Sequence, residues 1–473
     1  MQGENIAGGK EAVSAMKKAV RKCVRALVLL FALYLLVSMI VPPLFQKEPE
    51  PAEARSTGAG ERVLCIDDNR DALVWRLRLI GEAEREIILS TFDFRVDNSG
   101  TDLLAALNDA AERGVDIKIL VDGLSGDRNL RRSELVGALA SHPNVQIRLY
   151  NPLNLLTPWK INYRLHDKYL IADGTQYLLG GRNTNDLFLG EYRNREDRNI
   201  DREVLVLSAG EAGSSAAELG AYFAKIWDEP CCETISGSRK NREAALETLR
   251  SHFEETRGRY PEAYSPADRQ SRTLEARSVT LLSNPTAPEN KAPMLWEQLC
   301  GILERGERIW IETPYAICDD RMLNVLSRLC GDGRQIQILT NAPESGANVF
   351  GCAEYRSEKP RLLAAGCEIF EAACGQSLHT KTVLVDDSIS VIGSYNLDPR
   401  STYLDTELML VIDCPELNRR LRETASARAA QSRRVLPDGT EAEGPDFEAS
   451  MPLYKKAGYS ILRIFTGLFR YLL

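Results

Sequence analysis

Leu165-His166-Asp167-Lys168-Tyr169-Leu170-Ile171-Ala172-Asp173 returns, 213 positions later, as Leu378-His379-Thr380-Lys381-Thr382-Val383-Leu384-Val385-Asp386. Each stretch carries His, Lys at +2 and Asp at +7, and each is followed by a small pair and an asparagine: Gly180-Gly181-Arg182-Asn183 and Gly393-Ser394-Tyr395-Asn396. The chain has only four histidines, so two in one repeated pattern is a strong signal. The runs Tyr169–Ala172 and Thr382–Val385 are apolar or β-forming, which predicts strands. Residues two apart on a strand share a face, so His and Lys point at one spot. Asp173-Gly174 and Asp386-Asp387 then read as polar turns into the next strand.

The repeat extends outward. Upstream of the first histidine lie a β-rich run over Glu86–Phe94, a helical segment over Leu103–Arg113 and a strand over Val115–Asp122. Upstream of the second, Arg308–Thr313, Arg321–Cys330 and Gln335–Asn341 repeat the order. Strands alternating with helices of this length predict an α/β fold, and the duplication predicts two lobes. The domain plan is a basic N-terminus at 1–25, an apolar anchor at 26–45, a Pro- and Glu-rich linker at 46–61, and a first lobe at 62–208. A charged insertion at 209–277, a second lobe at 278–414, a charged surface segment at 415–450 and a terminal helix at 451–473 follow.

Displacement at a phosphodiester needs a nucleophile, a proton for the leaving alkoxide and positive charge around the nonbridging oxygens. Two His/Lys modules supply all three: one imidazole attacks to give a phosphoramidate, while the other protonates the leaving oxygen and later deprotonates the incoming alcohol or water. Lys168 and Lys381, with Asn183, Asn396 and Ser394, are placed to hold the phosphate, so no metal or other cofactor is called for. Asp173 and Asp386 complete the motif, with turn formation as their blander role. Each histidine calls for a carboxylate behind it to fix the tautomer. Glu203 in Asp201-Arg202-Glu203 and Glu407 in Asp405-Thr406-Glu407 are the matched candidates, with Asp201 and Asp405 as alternatives. His142 and His252 stand outside any such pattern and read as structural.

These motifs resemble the phospholipase D superfamily, and the chain is most similar to its bacterial cardiolipin synthases, especially the C-type branch. The likeness runs from about Arg62 to the C-terminus and includes Ser141-His142-Pro143-Asn144-Val145, Arg148-Leu149-Tyr150-Asn151-Pro152 and Gly180 through Asp186. It implies two α-β-α sandwich lobes about a pseudo-twofold axis, with both histidines in one cleft. It also implies His166 as nucleophile and His379 as general acid and base. Gly181 and Arg182 depart from the family pattern, since many relatives have Ser there. The resemblance implies phosphatidyl transfer between phospholipids, giving cardiolipin through a phosphohistidine. The alternatives are a hydrolytic phospholipase D, a membrane-anchored phosphodiesterase or exonuclease, and a noncatalytic lipid-binding scaffold.

Composition is compatible with this. With 473 residues, 44% hydrophobic and 27% charged, the chain suits a folded protein of two or three units. A net charge of −8 argues against a general nucleic-acid partner. The eleven cysteines include no CxxC pair, so neither a zinc site nor a disulfide framework is indicated. Ala26–Val41 carries no charge and follows Lys17, Lys18, Arg21, Lys22 and Arg25. Extended to Phe45 it reaches about 20 residues, the length of a membrane span. The positive-inside rule then predicts a single-pass protein with a cytoplasmic N-terminus and an extracytoplasmic body, a cleaved signal peptide being the rival, and the resemblance implies that the membrane is a bacterial one. Ile461, Phe465, Leu468 and Leu472, with Lys456, Arg463 and Arg470, predict an amphipathic helix lying on anionic lipid. The expected partners are therefore phospholipid substrates and the membrane. Nothing in the sequence indicates an oligomeric state.

Overall fold

A computed structural model describes residues 2–44, 47–48, 60–211, 213–237, 241–372, 375–440, 458–459 and 470–472. The first sheet is built from β1 (Arg62–Ile66), β2 (Glu86–Thr91), β3 (Asp116–Asp122), β4 (Val145–Tyr150), β5 (Tyr169–Ala172), β6 (Gln176–Gly180), β7 (Glu203–Leu207), β8 (Cys232–Thr234) and β9 (Leu274–Glu275). The second holds β10 (Ser278–Ser283), β11 (Arg308–Glu312), β12 (Gln335–Asn341), β13 (Glu368–Ala372), β14 (Thr382–Val385), β15 (Ile389–Gly393), β16 (Leu408–Asp413) and β17 (Arg433–Val435). The first sheet contains the order β4-β3-β2-β5-β6-β7-β1, and the second repeats it as β13-β12-β11-β14-β15-β16-β10. In each, three strands run parallel, joined by helix-bearing connections, and the histidine hairpin adds antiparallel beside them. The two-lobe α/β reading of the repeat thus matches the sheets strand for strand.

Alternation along the strands explains how the lobes join. Leu170 and Ala172 of β5 enter the core beneath the first lobe's outer helices, while Tyr169 and Ile171 enter a central core shared by both sheets. Leu384, Ile392, Leu408 and Leu410 reach that central core from the other lobe. Both faces of each sheet are therefore buried, which is why these strands read as continuous apolar runs. Helices Ser215–Trp227 and Pro415–Ala430 also pack into the central core, through Leu219, Phe223 and Ile226 and through Leu417 and Leu421. The segments expected as a charged insertion and a surface wrap thus contribute core helices and the edge strands β8, β9 and β17.

The membrane segments require correction. Helix Gln2–Leu44 carries the apolar run, but among the described residues no helix is long and apolar enough to cross a membrane. The expected single-pass topology is therefore not supported. Most of the expected C-terminal amphipathic helix lies outside the described residues. Arg470, counted there among the lipid-facing bases, instead pairs with buried Glu354 and Glu358, both at 2.7 Å, and Tyr471 stacks on Tyr403.

Candidate active site

Each histidine sits just before a hairpin strand, at the carboxyl end of its lobe's parallel strands: β5 runs antiparallel to β2 and β14 to β11. The lobes meet there through two isolated parallel bridges, Leu165 with Thr406 and Ile200 with Leu378. The His166 amide donates to Thr406 Oγ1 at 3.1 Å, and the His379 amide donates to the Ile200 carbonyl at 2.7 Å. Each lobe thus supports the other's histidine, as a twofold relation requires.

The carboxylates follow the same exchange. Glu407 Oε1 lies 2.8 Å from His166 Nδ1, and Asp201 Oδ2 lies 2.7 Å from His379 Nδ1. Both acids are fully buried, whereas the histidine side chains keep 12% and 23% exposure. Asp201, held in the sequence reading only as an alternative, takes the place expected for Glu203. Glu203 instead forms a two-point ion pair with buried Arg76, at 2.5 and 2.7 Å. Strand register gives the reason: Gly180 pairs with Glu203 but Gly393 pairs with Met409. Glu203 is thus the counterpart of Met409, and Asp201 that of Glu407. Gly181 accommodates the exchange, since a Cβ there would lie 2.4 Å from Asp201 Oδ1.

Other expected phosphate contacts divide. Lys168 and Lys381 are buried, and each ammonium donates to the carbonyl of its own histidine. Lys381 Nζ also lies 2.9 Å from His379 Nδ1. Asn183 and Asn396 are buried, and neither Oδ1 has a hydrogen-bond partner among the described residues. Ser394 turns away: its Oγ donates to Glu407 Oε2 and accepts from the Leu408 amide at 3.0 Å, so it positions the carboxylate. Ser401, which sequence reasoning missed, donates to Glu407 Oε1 at 2.6 Å. The Asp398-Pro399-Arg400-Ser401 helix start was its one signal, since Asp398 caps that turn. Arg182 is buried scaffold, donating to the carbonyls of Asp67, Phe188 and Asp201.

Asp173 and Asp386 are corrected from the catalytic set. Asp173 accepts from the amides of Glu84, Arg85 and Glu86, at 3.0, 2.7 and 3.0 Å. Asp386 accepts from those of Glu307 and Arg308, at 3.0 and 2.9 Å. Both sit at φ near +50°, the left-handed turn that Asp tolerates. They lie seven positions beyond the histidines, about 23 Å of extended chain. They therefore latch the far end of the hairpin to the start of β2 or β11.

Phe92 and Phe188 pack edge-on against His166 and His379, with centroids 5.2 and 4.9 Å away. Burial pushes the His166 imidazole well below its usual pKa, and Lys168, Lys381 and Arg400 push it further. Burial and Lys381 bring His379 to about 4 against the pull of Asp201, with Lys168 adding to the depression. The lysines of both lobes thus bear on both imidazoles, as one shared site requires. Burial lowers Lys168 to about 8 and Lys381 to about 7. Burial also raises Glu407 to about 8. At Asp201 the same burial is outweighed by His379, Lys381 and Arg182, so its carboxyl stays below the ordinary range.

Among the described residues, His166, Asp405 and Glu407 bring potential metal-ligand atoms within 4.8 Å of one another. Those atoms are already engaged. Glu407 holds two serines and the imidazole, while Asp405 Oδ1 accepts from the Arg164 amide at 3.2 Å and from Arg400 at 3.3 Å. Lysine and arginine also surround the two acids: Arg400 and Arg164 bear on Asp405, and Lys168 and Lys381 on Glu407. The set does not fit a cation.

The family model described as cardiolipin synthase, PLD-like domain, matches residues 77–227 and 299–428. The chain belongs to this family. It is 28% identical over 400 residues to cardiolipin synthase C of Escherichia coli, covering 74% of this chain and 81% of that protein. It is 27% identical over 342 residues to cardiolipin synthase 1 of Bacillus cereus, covering 71% and 60%. The crystal structure of a phosphatidylserine synthase from Haemophilus influenzae superposes with a TM-score of 0.63 at 17% identity. That match spans 89% of this chain and 97% of the other, and extends the likeness in fold to nearly the whole length.

Proposed function

We propose that the protein is a phosphatidyltransferase that forms cardiolipin from phosphatidylglycerol and a second phospholipid, through a phosphohistidine. The observation that carries this reading is the reciprocal pair of imidazoles, each backed at Nδ1 by a buried carboxylate from the opposite lobe. A carboxylate at Nδ1 leaves Nε2 as the reacting nitrogen. His166 Nε2 attacks phosphorus, the bond from phosphorus to the headgroup alkoxide breaks, and His379 delivers the proton to that alkoxide. His379 then takes the proton of the acceptor hydroxyl, whose oxygen attacks phosphorus and releases His166.

Electrostatics support the order of events. In the free site both imidazoles are held neutral, which suits a nucleophile. A bound phosphodiester anion offsets the lysine charges that depress them, so substrate itself raises His379 towards the protonated form an acid needs. Asp201, ionised, favours that imidazolium. Lys168, Lys381, Asn183 and Asn396 then hold the nonbridging oxygens. Acceptor choice is tested by incubating the purified chain with phosphatidylglycerol vesicles, alone or with phosphatidylethanolamine, and separately with single-stranded DNA. Cardiolipin with released headgroup is the expected product. Phosphatidic acid alone would make it a hydrolase, and nucleotides a nuclease.

A further inference from the structure

The connection between β4 and the first histidine is an ordered loop with its leucines turned outward. Asn151 closes its base, donating from Nδ2 to the carbonyls of Lys160 and Tyr163 at 2.7 and 2.8 Å, and Asn154 Oδ1 accepts from the Leu156 amide at 2.9 Å. Within this frame Leu153, Leu155 and Leu156 are 48%, 70% and 87% exposed. On the second lobe, Val349 and Phe350 at the start of helix Val349–Ala364 are 45% and 54% exposed. That segment follows the carboxyl end of β12 as the leucine loop follows that of β4, so both leave the sheet ends where the histidines sit. Next to the leucine loop, Asn162 donates to the Ser38 carbonyl at 2.5 Å, docking the long N-terminal helix there. Its apolar side chains from Leu27 to Leu36 are largely exposed.

We propose that Leu153, Leu155 and Leu156, with Val349 and Phe350 across the cleft mouth, seat the enzyme in the acyl-chain region of a phospholipid bilayer. The inference rests on the phosphatidyltransferase reading. A lipid phosphorus lies at headgroup depth while its acyl chains stay in the bilayer. A half-buried histidine pair therefore reaches it only if the rim of the cleft settles into the surface. Exposed apolar residues held by an ordered loop on one side of the mouth and a helix start on the other suit that task. The exposed basic run Lys17–Arg25 on the docked helix complements anionic headgroups, which favours lipid over a second copy of the chain as the occupant.

The test compares the full chain with the double variant Leu155→Asp, Leu156→Asp on phosphatidylglycerol vesicles and on dispersed dihexanoyl phosphatidylglycerol. The variant should lose about tenfold or more of vesicle turnover and keep its rate on the dispersed lipid. Equal vesicle turnover overturns the proposal. Should the variant fold poorly and lose both activities, Leu156→Trp decides: its added fluorescence should be quenched by vesicles brominated in the acyl chains. An unquenched signal, or one that changes with chain concentration rather than with vesicles, overturns the proposal. A wild-type chain inactive on both lipid forms counts against the catalytic reading, and the quenching result still decides the docking.

Discussion

Replacing Asp201 by Asn, beside Glu203→Gln, separates the residue that serves the histidine from the one that resembles it in sequence. Asp201 contributes an ionised, fully buried oxygen 2.7 Å from His379 Nδ1. A hydrogen bond to a charged group contributes about 1.5–3 kcal/mol, or roughly 10- to 150-fold in rate if it is lost at the transition state. The amide does further harm, because an NH2 facing Nδ1 favours the tautomer with its proton on Nε2, an effect that can reach about 10⁴-fold. We expect kcat to fall at least about 100-fold with little change in KM. Glu203→Gln should behave in the opposite way. It leaves Arg76 without a counterion where the two side chains are 1% and 4% exposed, which costs about 3–5 kcal/mol of stability but leaves kcat per folded molecule near wild type. The assay is steady-state turnover on phosphatidylglycerol vesicles, paired with urea denaturation to count folded enzyme. A wild-type rate for Asp201→Asn, or an equal kcat loss in folded Glu203→Gln, would refute the register argument.

Three further outcomes follow from the same structure. Since Lys381 and Lys168 lose their protons near pH 7 and 8 and only the ammonium form holds phosphate, kcat/KM should decline as pH rises through that range. Lys381→Arg, which stays charged, should move the decline upward if it retains activity, and an unshifted limb would count against lysine as its source. Asp173→Ala removes three amide contacts at a left-handed turn and should lower the urea midpoint while kcat of the folded fraction holds, whereas Asp173→Asn should lose less. Ser401→Ala withdraws a 2.6 Å hydrogen bond from Glu407 and should slow turnover about tenfold, with the acidic part of the pH profile displaced because the carboxyl that faces His166 changes basicity.

What the sequence made legible was whatever repeats locally. Strand periodicity and the His-x-Lys spacing place β5, β14 and the two histidines and two lysines at the centre of the site, because neighbours on a strand share a face whatever surrounds them. Contacts between lobes have no local signature. The bridges from Leu165 to Thr406 and from Ile200 to Leu378 hand each histidine a carboxylate more than 170 residues away. The shared Asp-x-Glu pattern at 201–203 and 405–407 points to Glu203 because sequence spacing does not reveal the two-residue offset in strand register. The place of Ser394 in the motif suggests a phosphate contact, yet the backbone turns its hydroxyl behind the site to Glu407. The 209–277 and 415–450 segments look charged because helices Arg242–Arg259 and Pro415–Ala430 each bury only a narrow face.

A covalent phosphatidyl–imidazole bond is the intermediate on which phosphatidyl transfer depends, and it can be trapped. Enzyme mixed with phosphatidylglycerol carrying ³²P should, after a rapid alkaline denaturing quench that spares phosphoramidates, retain label on the peptide containing His166. His166→Ala should retain none, while His379→Ala should still acquire label from a p-nitrophenyl phosphodiester whose leaving group needs no acid. Label on neither imidazole, in an enzyme that is turning over, would contradict the account.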